Sequence, residues 1–175
     1  PFLPIPRRGS RCKVPLEEVV YSILYKLKTG TQWYLLPIKS HFSEKSLSWQ
    51  SVFRYYRAWC KQGVWRRWWE ALLANAHAKI DLSNANLDGT HTTALKGGEA
   101  IGYQGRKKRK TTNALYLTDS QGLPLAMSTP VAGNHNDLFQ VKERFTEIRQ
   151  TLQNANISMK GLFLNADPGF DAEQF

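Results

Sequence analysis

Apolar residues recur at helical spacing through the first 80 residues of the chain. The first segment, residues 15–30, begins at Pro15, has two Glu in its first turn and ends at Gly30, as helices commonly do. Its apolar positions repeat every three or four residues and are Leu16, Val19, Val20, Ile23, Leu24 and Leu27. This spacing predicts an amphipathic helix with one buried face.

Two further segments, residues 46–63 and 64–80, show the same period, with Gly63 between them. In the first, the predicted inward positions are Trp49, Val52, Phe53, Tyr56 and Cys60. In the second, they are Trp65, Trp68, Trp69, Leu72, Leu73 and Ala76. Residues 31–46 contain Pro37 and several polar residues, which predicts a loop. Residues 1–80 are therefore predicted to form a small all-α domain whose Trp and Tyr side chains are mostly core.

The pattern changes after Ile80. Residues 84–94 predict a short strand, and residues 111–133 predict a hairpin of two apolar runs around a turn at residues 119–122. A Gly-rich and strongly basic stretch, residues 96–110, separates the two and is predicted to be a loop.

An amphipathic helix and a last strand follow the hairpin. In residues 136–155, Asp137 and Gln140 have the spacing of a capping box. The predicted inward positions of this helix are Leu138, Val141, Phe145, Ile148 and Leu152. A buried strand is then predicted to end at Asp167. The order strand, hairpin, helix, strand predicts an α/β domain over residues 81–175, with a mixed sheet and one crossover helix.

The net charge of +10 lies entirely in the first part of the chain. Residues 1–80 hold 14 Lys and Arg against 4 Asp and Glu, whereas residues 81–175 hold 10 of each kind. Such asymmetry indicates a polyanionic partner, nucleic acid rather than membrane, with a merely soluble basic surface as the alternative. The candidate DNA contacts near the second helical joint are Arg54, Arg57, Lys61, Arg66 and Arg67.

Composition narrows the class of protein. The hydrophobic content of 42% is ordinary for a globular protein. No apolar run reaches the roughly 18 residues that a membrane helix needs, and no signal-peptide pattern opens the chain. Cys12 and Cys60 have no His or Cys at ligand spacing, so we expect two buried thiols, no zinc module and a reducing, cytoplasmic location.

Two carboxylates each follow an apolar run. Asp88 comes after Ala85–Leu87, and Asp167 ends the last predicted strand. A crossover helix lets the last strand return parallel to the first, and adjacent strands lie about 4.8 Å apart, so equal register would bring both carboxylates together. Such a pair repels unless a cation neutralises it, and Mg²⁺ or Mn²⁺ suits a site made only of oxygen atoms. The alternative is that both acids belong to ordinary turns.

Other polar residues carry weaker predictions. A basic run between the two acids, Arg106, Lys107, Lys108, Arg109 and Lys110, is either a solvated loop or a contact for a phosphate backbone. His91 either contacts phosphate or simply ends a Thr-rich strand. The segment His135–Asp137 is interpreted as a loop with a helix cap, with steering of metal or DNA as the alternative, and Asp119 as a turn residue.

Taken together, these segments resemble bacterial insertion-sequence transposases of the DDE type, which have a ribonuclease H-like catalytic core. ILYKLKTGTQWYLLP and SWQSVFRYYRAWCKQGVWRRWWEALL resemble the helical N-terminal region of those proteins. LDGTHTTA, the basic stretch and the GNHND segment resemble the first-Asp segment, a basic linker and a Gly-Asn-x-x-Asp motif. LNADPGFD resembles the strand that carries the second Asp.

The resemblance implies a function. Asp88 and Asp167 would be catalytic acids that bind Mg²⁺ or Mn²⁺, and residues 1–80 would bind the terminal inverted repeats of the element. The enzyme would cleave double-stranded DNA at those ends and join the freed 3′-hydroxyl to target DNA. The expected assembly is a homodimer on DNA, associated with the bacterial nucleoid and not with a membrane.

Two departures qualify the expected activity. Pro168 and Phe170 stand where the family commonly has a small or basic residue and a Tyr. The third acid of the family is a Glu on a helix far downstream, and Glu173, six residues after Asp167, is too close and receives no role. We therefore expect a catalytic core that is incomplete at its C-terminus and a chain that binds duplex DNA without cutting it alone. The alternatives are a truncated, non-catalytic DNA-binding remnant and a ribonuclease H-like nuclease without a role in transposition.

Overall fold

The computed structural model describes residues 3–4, 12–95 and 98–170. The chain forms two compact units, Pro1–Trp69 and Glu70–Phe175, and the division falls inside a helix. The predicted functional boundary at residue 80 stays a prediction. Glu173 lies outside the described residues.

The first unit is helical. Its elements are α1 (Leu16–Thr29), a 3-10 turn (Trp33–Leu35), α2 (Ile38–His41), α3 (Trp49–Lys61) and the beginning of α4 (Val64–Ala76). The predicted end of α1 is confirmed, because Gly30 has a φ of 69° and its N–H donates to Lys26 O at 3.0 Å. Only Gly adopts this left-handed conformation without strain. The prediction of a loop over residues 31–46 is wrong in part, since Trp33–Leu35 and Ile38–His41 are helical.

The core of the first unit lies between α1, α3 and the start of α4. Val19, Ile23, Val52 and Val64 are fully buried, and Trp59 is almost so. The expected burial of Cys60 is wrong: its side chain is exposed, because the adjacent and larger Trp59 takes the inward position of α3. Cys12 is half-buried. Aromatic rings pack against one another here, as expected of core Trp and Tyr residues. That expectation is right only in part, because Tyr21, Tyr34 and Trp69 are exposed.

The second unit contains a mixed sheet. Its strands are β1 (Ala85–Thr93), β2 (Gly102–Gln104), β3 (Arg109–Asp119), β4 (Pro124–Met127), β5 (Val131–Ala132) and β6 (Leu164–Ala166). The order is β2-β3-β1-β6, and β4 and β5 also pair with β3. β1 runs antiparallel to β3 and parallel to β6. The predicted α/β class with a mixed sheet and preceding helices is therefore confirmed.

One helix connects the hairpin to the last strand and covers one face of the sheet. This helix, α5 (Val141–Asn154), packs Ile148 and Leu152 onto Leu87, Leu115 and Leu117 of β1 and β3. All of these apolar side chains are buried, which removes them from water and stabilises the layer. The crossover helix that the element order predicted is present.

Several predicted boundaries are wrong. The prediction of a loop over residues 96–110 is wrong in part, because β2 pairs with the start of β3 across a turn at residues 105–108. Residues 98–101 belong to no strand or helix, and residues 96–97 lie outside the described part of the chain. The helix α5 begins later than predicted, because Gln140 has a φ of 50° and cannot continue a right-handed helix. Asp137 therefore caps nothing. The last strand, β6, is mostly exposed and not buried, because it is short and lies at the sheet edge.

None of the helices within the described ranges combines the length and the apolar character that a bilayer crossing requires.

Candidate functional site

Asp88 lies in the middle of a strand and not at its end. The pairing of β1 with β3 continues from Ala85 to Thr93, because β3 is long enough to match every residue, and Asp88 faces Tyr116. The carboxylate is exposed, and its Oδ1 accepts a hydrogen bond from the N–H of Gly89 at 2.8 Å. The prediction that Asp88 ends a strand or occupies a turn is thus corrected.

Asp167 follows directly after β6, as predicted, and is exposed. A short 3-10 turn, Pro168–Phe170, comes next, and the N–H of Phe170 donates to Asp167 O at 2.8 Å. The Phe170 side chain is buried in the core between sheet and α5. This anchor fixes the backbone immediately after the second acid.

The register of β1 and β6 brings the two acids to neighbouring positions. Leu87 pairs with Ala166, so Asp88 and Asp167 are the next residues on two parallel, adjacent strands. Asn86 and Asn165 each lie two residues before one of the acids. The Asn165 side chain donates to the Asn86 side chain at 3.2 Å, which shows that these two residues share one sheet face. Side chains alternate along a strand, so Asp88 lies on that same face, opposite the one that α5 covers.

Asp88 is an exposed carboxylate on that face, and Asp167 is exposed at the neighbouring position directly after β6. A hydrated Mg²⁺ usually takes only one or two carboxylates from the protein and keeps several waters. Within the described ranges, no group of three or more His, Cys, Asp and Glu side chains is arranged to hold a metal ion. Asp88 and Asp167 could therefore hold such an ion only together with water or phosphate oxygens.

A buried polar network lies behind the strand that carries Asp88. Arg144 of α5 is 2% exposed and Asn113 of β3 is fully buried. The Arg144 Nη2 donates to Asn113 Oδ1 at 3.2 Å, and the Asn113 Nδ2 donates to Asp137 Oδ1 at 2.8 Å. Other guanidinium N–H groups donate to Asp137 O and to Ser128 Oγ. Sequence patterns did not single out Asn113 or Arg144; the charge of Arg144 on the inward face of α5 was the available signal.

His91 belongs to the same network. It is paired with Asn113 across the strands, and its side chain is only 6% exposed. The Nδ1–H tautomer satisfies both ring nitrogens: Nδ1 donates to Thr111 Oγ1 at 3.2 Å, and Nε2 accepts from Asn113 Nδ2 at 3.3 Å. Burial lowers the pKa of His91, and the opposing effect of the Asp137 carboxylate, 4.0 Å away, does not outweigh it. A neutral, buried ring does not offer a cation to phosphate.

Asp137 also approaches the backbone of β1. A Cβ placed on Gly89 would lie 2.1 Å from both Cγ and Oδ1 of Asp137, far inside van der Waals contact. Asn136–Leu138 and Asp167–Phe170 together line a cavity of about 410 Å³. The segment interpreted as a helix cap therefore lies close to both acid-bearing segments. The capping pattern in the sequence did not predict this proximity.

The predicted basic run occupies a hairpin tip and the start of β3. All five side chains, Arg106 to Lys110, are exposed. Lys107 Nζ donates to His91 O at 3.1 Å, three residues beyond Asp88, which is about 10 Å along the strand. Within the described part of the chain, no carboxylate forms an ion pair with these residues.

The predicted basic residues of the first unit are exposed as well. Arg54, Arg57 and Lys61 lie on α3, and Arg66 and Arg67 lie on α4. Arg54 donates to Ser51 Oγ and Arg67 donates to Gln62 O, so two of the guanidinium groups are held by their own helices or helix ends. No described carboxylate pairs with any of the five.

Asp119 is a turn residue, as predicted, but it is fully buried. Its carboxylate accepts hydrogen bonds from the backbone N–H groups of Asp81, Gln121 and Leu123. These contacts tie the hairpin turn to the segment before β1. Asp119 therefore has a structural role.

Comparison with known proteins identifies relatives of the chain. A family model described as "Putative transposase of IS4/5 family" matches residues 1–69. A Burkholderia cepacia protein, "Insertion element IS402 uncharacterized 16.2 kDa protein", is 33% identical over 109 residues, which cover 58% of this chain and 71% of the relative. No solved structure matches. The protein therefore belongs to the insertion-sequence transposases, a family whose members interact with DNA.

Proposed function

We propose that the chain supplies the DNA-binding unit and two of the catalytic acids of a DDE-type transposase. In this proposal the second unit is a ribonuclease H-like core, and the enzyme cleaves DNA at insertion-sequence ends and joins the freed 3′-hydroxyl to target DNA. The observation that carries the proposal is the parallel register of β1 and β6, in which Leu87 pairs with Ala166 immediately before the two acids.

Asp88 and Asp167 would hold Mg²⁺ or Mn²⁺ between them. When bound, the metal would activate water and stabilise charge on the leaving 3′-oxygen. The chain's own contribution is orientation: the Asn86–Asn165 hydrogen bond joins the two strands, and the buried Phe170 anchors the backbone after Asp167. Cleavage would further require the third acid of the family, which is assigned to no residue here.

DNA would be held by exposed cations. In the hairpin residues Arg106 to Lys110, Lys107 contacts the His91 carbonyl, about 10 Å along β1 from Asp88. None of the five forms an ion pair with a carboxylate in the described residues. Free cations of this kind neutralise phosphates and release counterions, which is the main source of non-specific DNA affinity. The exposed cations of α3 and α4 would add contacts to the element's terminal repeats.

The metal site is tested by Mn²⁺ binding to the chain, measured by electron paramagnetic resonance of free Mn²⁺ at neutral pH. We expect wild type to bind Mn²⁺, and Asp88→Asn and Asp167→Asn to lose most of this binding, because each removes one of two anionic ligands. Glu99→Gln is the matched control, since Glu99 is exposed in a loop of the same unit.

Two results would contradict the proposed metal site. Binding by wild type that both Asp variants retain would mean that the ion sits elsewhere. Failure of wild type to bind Mn²⁺ at millimolar concentration, with and without duplex DNA, would mean that the two acids do not form a metal site.

A further inference from the structure

The segment between β5 and α5, residues 133–140, lies close to both acids, and Asp137 is its central side chain. Its carboxylate packs against the Cα of Gly89, the residue directly after Asp88, at a distance that only glycine permits. Gly89 N–H in turn donates to Asp88 Oδ1. The Asp137 side chain therefore packs against Gly89, whose N–H is hydrogen-bonded to the carboxylate of Asp88.

The same segment borders the second acid. Asn136, Asp137 and Leu138 form one side of the 410 Å³ cavity, and Asp167 to Phe170 form the other. A displacement of this segment would alter the surroundings of Asp88 and of Asp167 together.

Asp137 is held in place from behind. The Asn113 amide donates to its Oδ1, and the orientation of that amide is set because Asn113 Oδ1 accepts from the Arg144 guanidinium. Arg144 also donates to the backbone carbonyls of Asp137 and Phe139. A buried cation and a half-buried carboxylate joined through one fully buried amide define a single arrangement of this segment.

Asp137 is not arranged as a ligand that joins Asp88. Gly89 and His91 face the side of β1 that also carries the buried Leu87, whereas Asp88 faces the other side. The Asp137 carboxylate lies on the Gly89 side, and one of its oxygens is already engaged by Asn113. Its contact with the first acid therefore runs through the backbone of β1.

We propose that Asp137 is a positioning residue for the two-acid site, held by Asn113 and Arg144 and acting on Asp88 through Gly89. The inference rests on the proposed function for the identity of the site. A partner behind a ligand typically changes metal affinity by about 10–100-fold when removed. We expect Asp137→Ala to weaken Mn²⁺ binding by at least about tenfold.

Asp137→Asn separates position from charge. An Asn can present its Oδ1 to the Asn113 Nδ2 with the same shape and no charge, so a positioning role predicts Mn²⁺ affinity within about threefold of wild type. Loss of binding in Asp137→Asn equal to that in Asp137→Ala would mean that the charge itself acts on the ion, and would overturn the inference. Glu143→Ala, an exposed carboxylate removed from α5 nearby, is the control and should leave binding unchanged.

Amide hydrogen exchange of Gly89 gives a readout that needs no metal. We expect this exchange to be faster in Asp137→Ala than in wild type or Asp137→Asn, under conditions where circular dichroism shows all three folded. If wild type fails to bind Mn²⁺ while Gly89 exchange still responds, the metal site fails and the positioning of β1 stands. If Gly89 exchange and Mn²⁺ affinity are both unchanged in Asp137→Ala, the inference is overturned.

Gly89→Ala is an independent variant of the same contact. The added methyl group must displace the Asp137 carboxylate, and we expect the same faster exchange at residue 89 and weaker Mn²⁺ binding. Combining Gly89→Ala with Asp137→Ala relieves the overlap, so the two effects should not add. Strict additivity in this double-mutant cycle would mean that the two residues do not act through one contact, and would count against the inference.

Discussion

Asn113 shows how single residues determine the geometry behind the site. It is fully buried, yet its amide meets a guanidinium on one side and a carboxylate on the other, so each of its polar atoms has a partner. Leaving any of these groups unsatisfied would cost roughly 1–3 kcal/mol, more for the charged ones. The arrangement of Asp137 follows from this requirement and not from helix capping.

The buried imidazole of His91 should titrate below the ordinary value of about 6.5. Burial is the main cause, Asp137 opposes it, and Lys107, Arg106 and Arg144 reinforce it. Because the pKa is lower in the folded than in the unfolded chain, His91 favours the folded state fully above pH 6.5. That contribution is lost as the pH falls through the folded-state pKa.

Proton NMR of the His91 ring, titrated from pH 8 to pH 4.5, measures this directly, with the urea-unfolded chain as the reference. A folded-state midpoint at or above that of the unfolded chain would contradict the assigned burial and tautomer.

Gly133 should not tolerate a side chain. A Cβ there would lie 1.9 Å from Thr111 Oγ1 and 2.4 Å from the backbone carbonyl oxygen of Thr111, which cannot move without breaking the sheet. We expect Gly133→Ala to lower the free energy of unfolding by about 1–3 kcal/mol, as overpacking does. Urea unfolding measures this. Gly105→Ala is the matched control, since nothing lies within 4 Å of a Cβ there, and an equal loss in both variants would refute the steric cause.

At the scale of elements, α3 has two opposed faces. Val52 and Trp59 are buried on one side, and Arg54, Arg57 and Lys61 are exposed on the other. At 100° per residue these three cations fall within about 60° of arc, so they form one stripe along the helix. Such a stripe is suited to contact with several phosphates along one DNA backbone.

Replacing the α3 stripe by Gln at Arg54, Arg57 and Lys61 should weaken duplex DNA binding and flatten its salt dependence. Each lost phosphate contact reduces the slope of log affinity against log salt by about 1, so a reduction of up to about 3 is expected. Fluorescence anisotropy across a salt series measures the slope. The control triple Lys28, Lys39 and Lys45 to Gln removes the same charge outside the predicted set, and an equal reduction there would show that only net charge matters.

At the scale of the whole molecule, the excess positive charge and the two candidate acids lie in different parts of the chain. The entire excess of +10 lies in residues 1–80, whereas the two acids lie in the electrically neutral remainder. Long-range attraction to a polyanion depends on the excess charge, whereas the proposed ion coordination would depend on two local carboxylates.

The two activities should therefore be separable by mutation. Asp88→Asn is expected to remove Mn²⁺ binding and to leave DNA affinity unchanged or slightly higher, because it removes a negative charge. The α3 triple variant is expected to weaken DNA binding and to keep Mn²⁺ affinity. Parallel anisotropy and Mn²⁺ titrations on both variants test this, and a joint loss in either variant would show that the two activities depend on each other.

Features that depend on a few neighbouring residues were predicted from the sequence. The end of α1 at Gly30, the inward face of α5 and the turn at Asp119 follow from backbone preference and periodicity, which act over a few neighbouring residues. The predicted inward face of α1 is right only in part, because Leu24 and Leu27 near its end are exposed. The parallel return of β6 followed from element order. Family membership, predicted from long ordered matches, is confirmed by the relatives.

The errors arose where contacts in the folded chain compete with a local preference. Asp137 has the spacing of a helix cap. In the structure, however, its side chain accepts a hydrogen bond from Asn113 of β3, and its backbone carbonyl accepts one from Arg144 of α5. The basic stretch contains Gly and charge, which favour a loop, but β3 provides a strand on which β2 can pair. Trp59 displaced Cys60 from the core because volume and apolar area decide between adjacent positions.

The sequence by itself determined the longer helical and strand segments, the uneven charge and the chemical types available for a site, since these depend on residue identity and on neighbours a few positions away. Only the tertiary structure decided the register of Leu87 with Ala166, the shared face of Asn86 and Asn165, and the contact of Asp137 with Gly89. Those relations join residues far apart along the chain. They arise from backbone pairing and from the need of buried polar groups for partners, neither of which any local pattern contains.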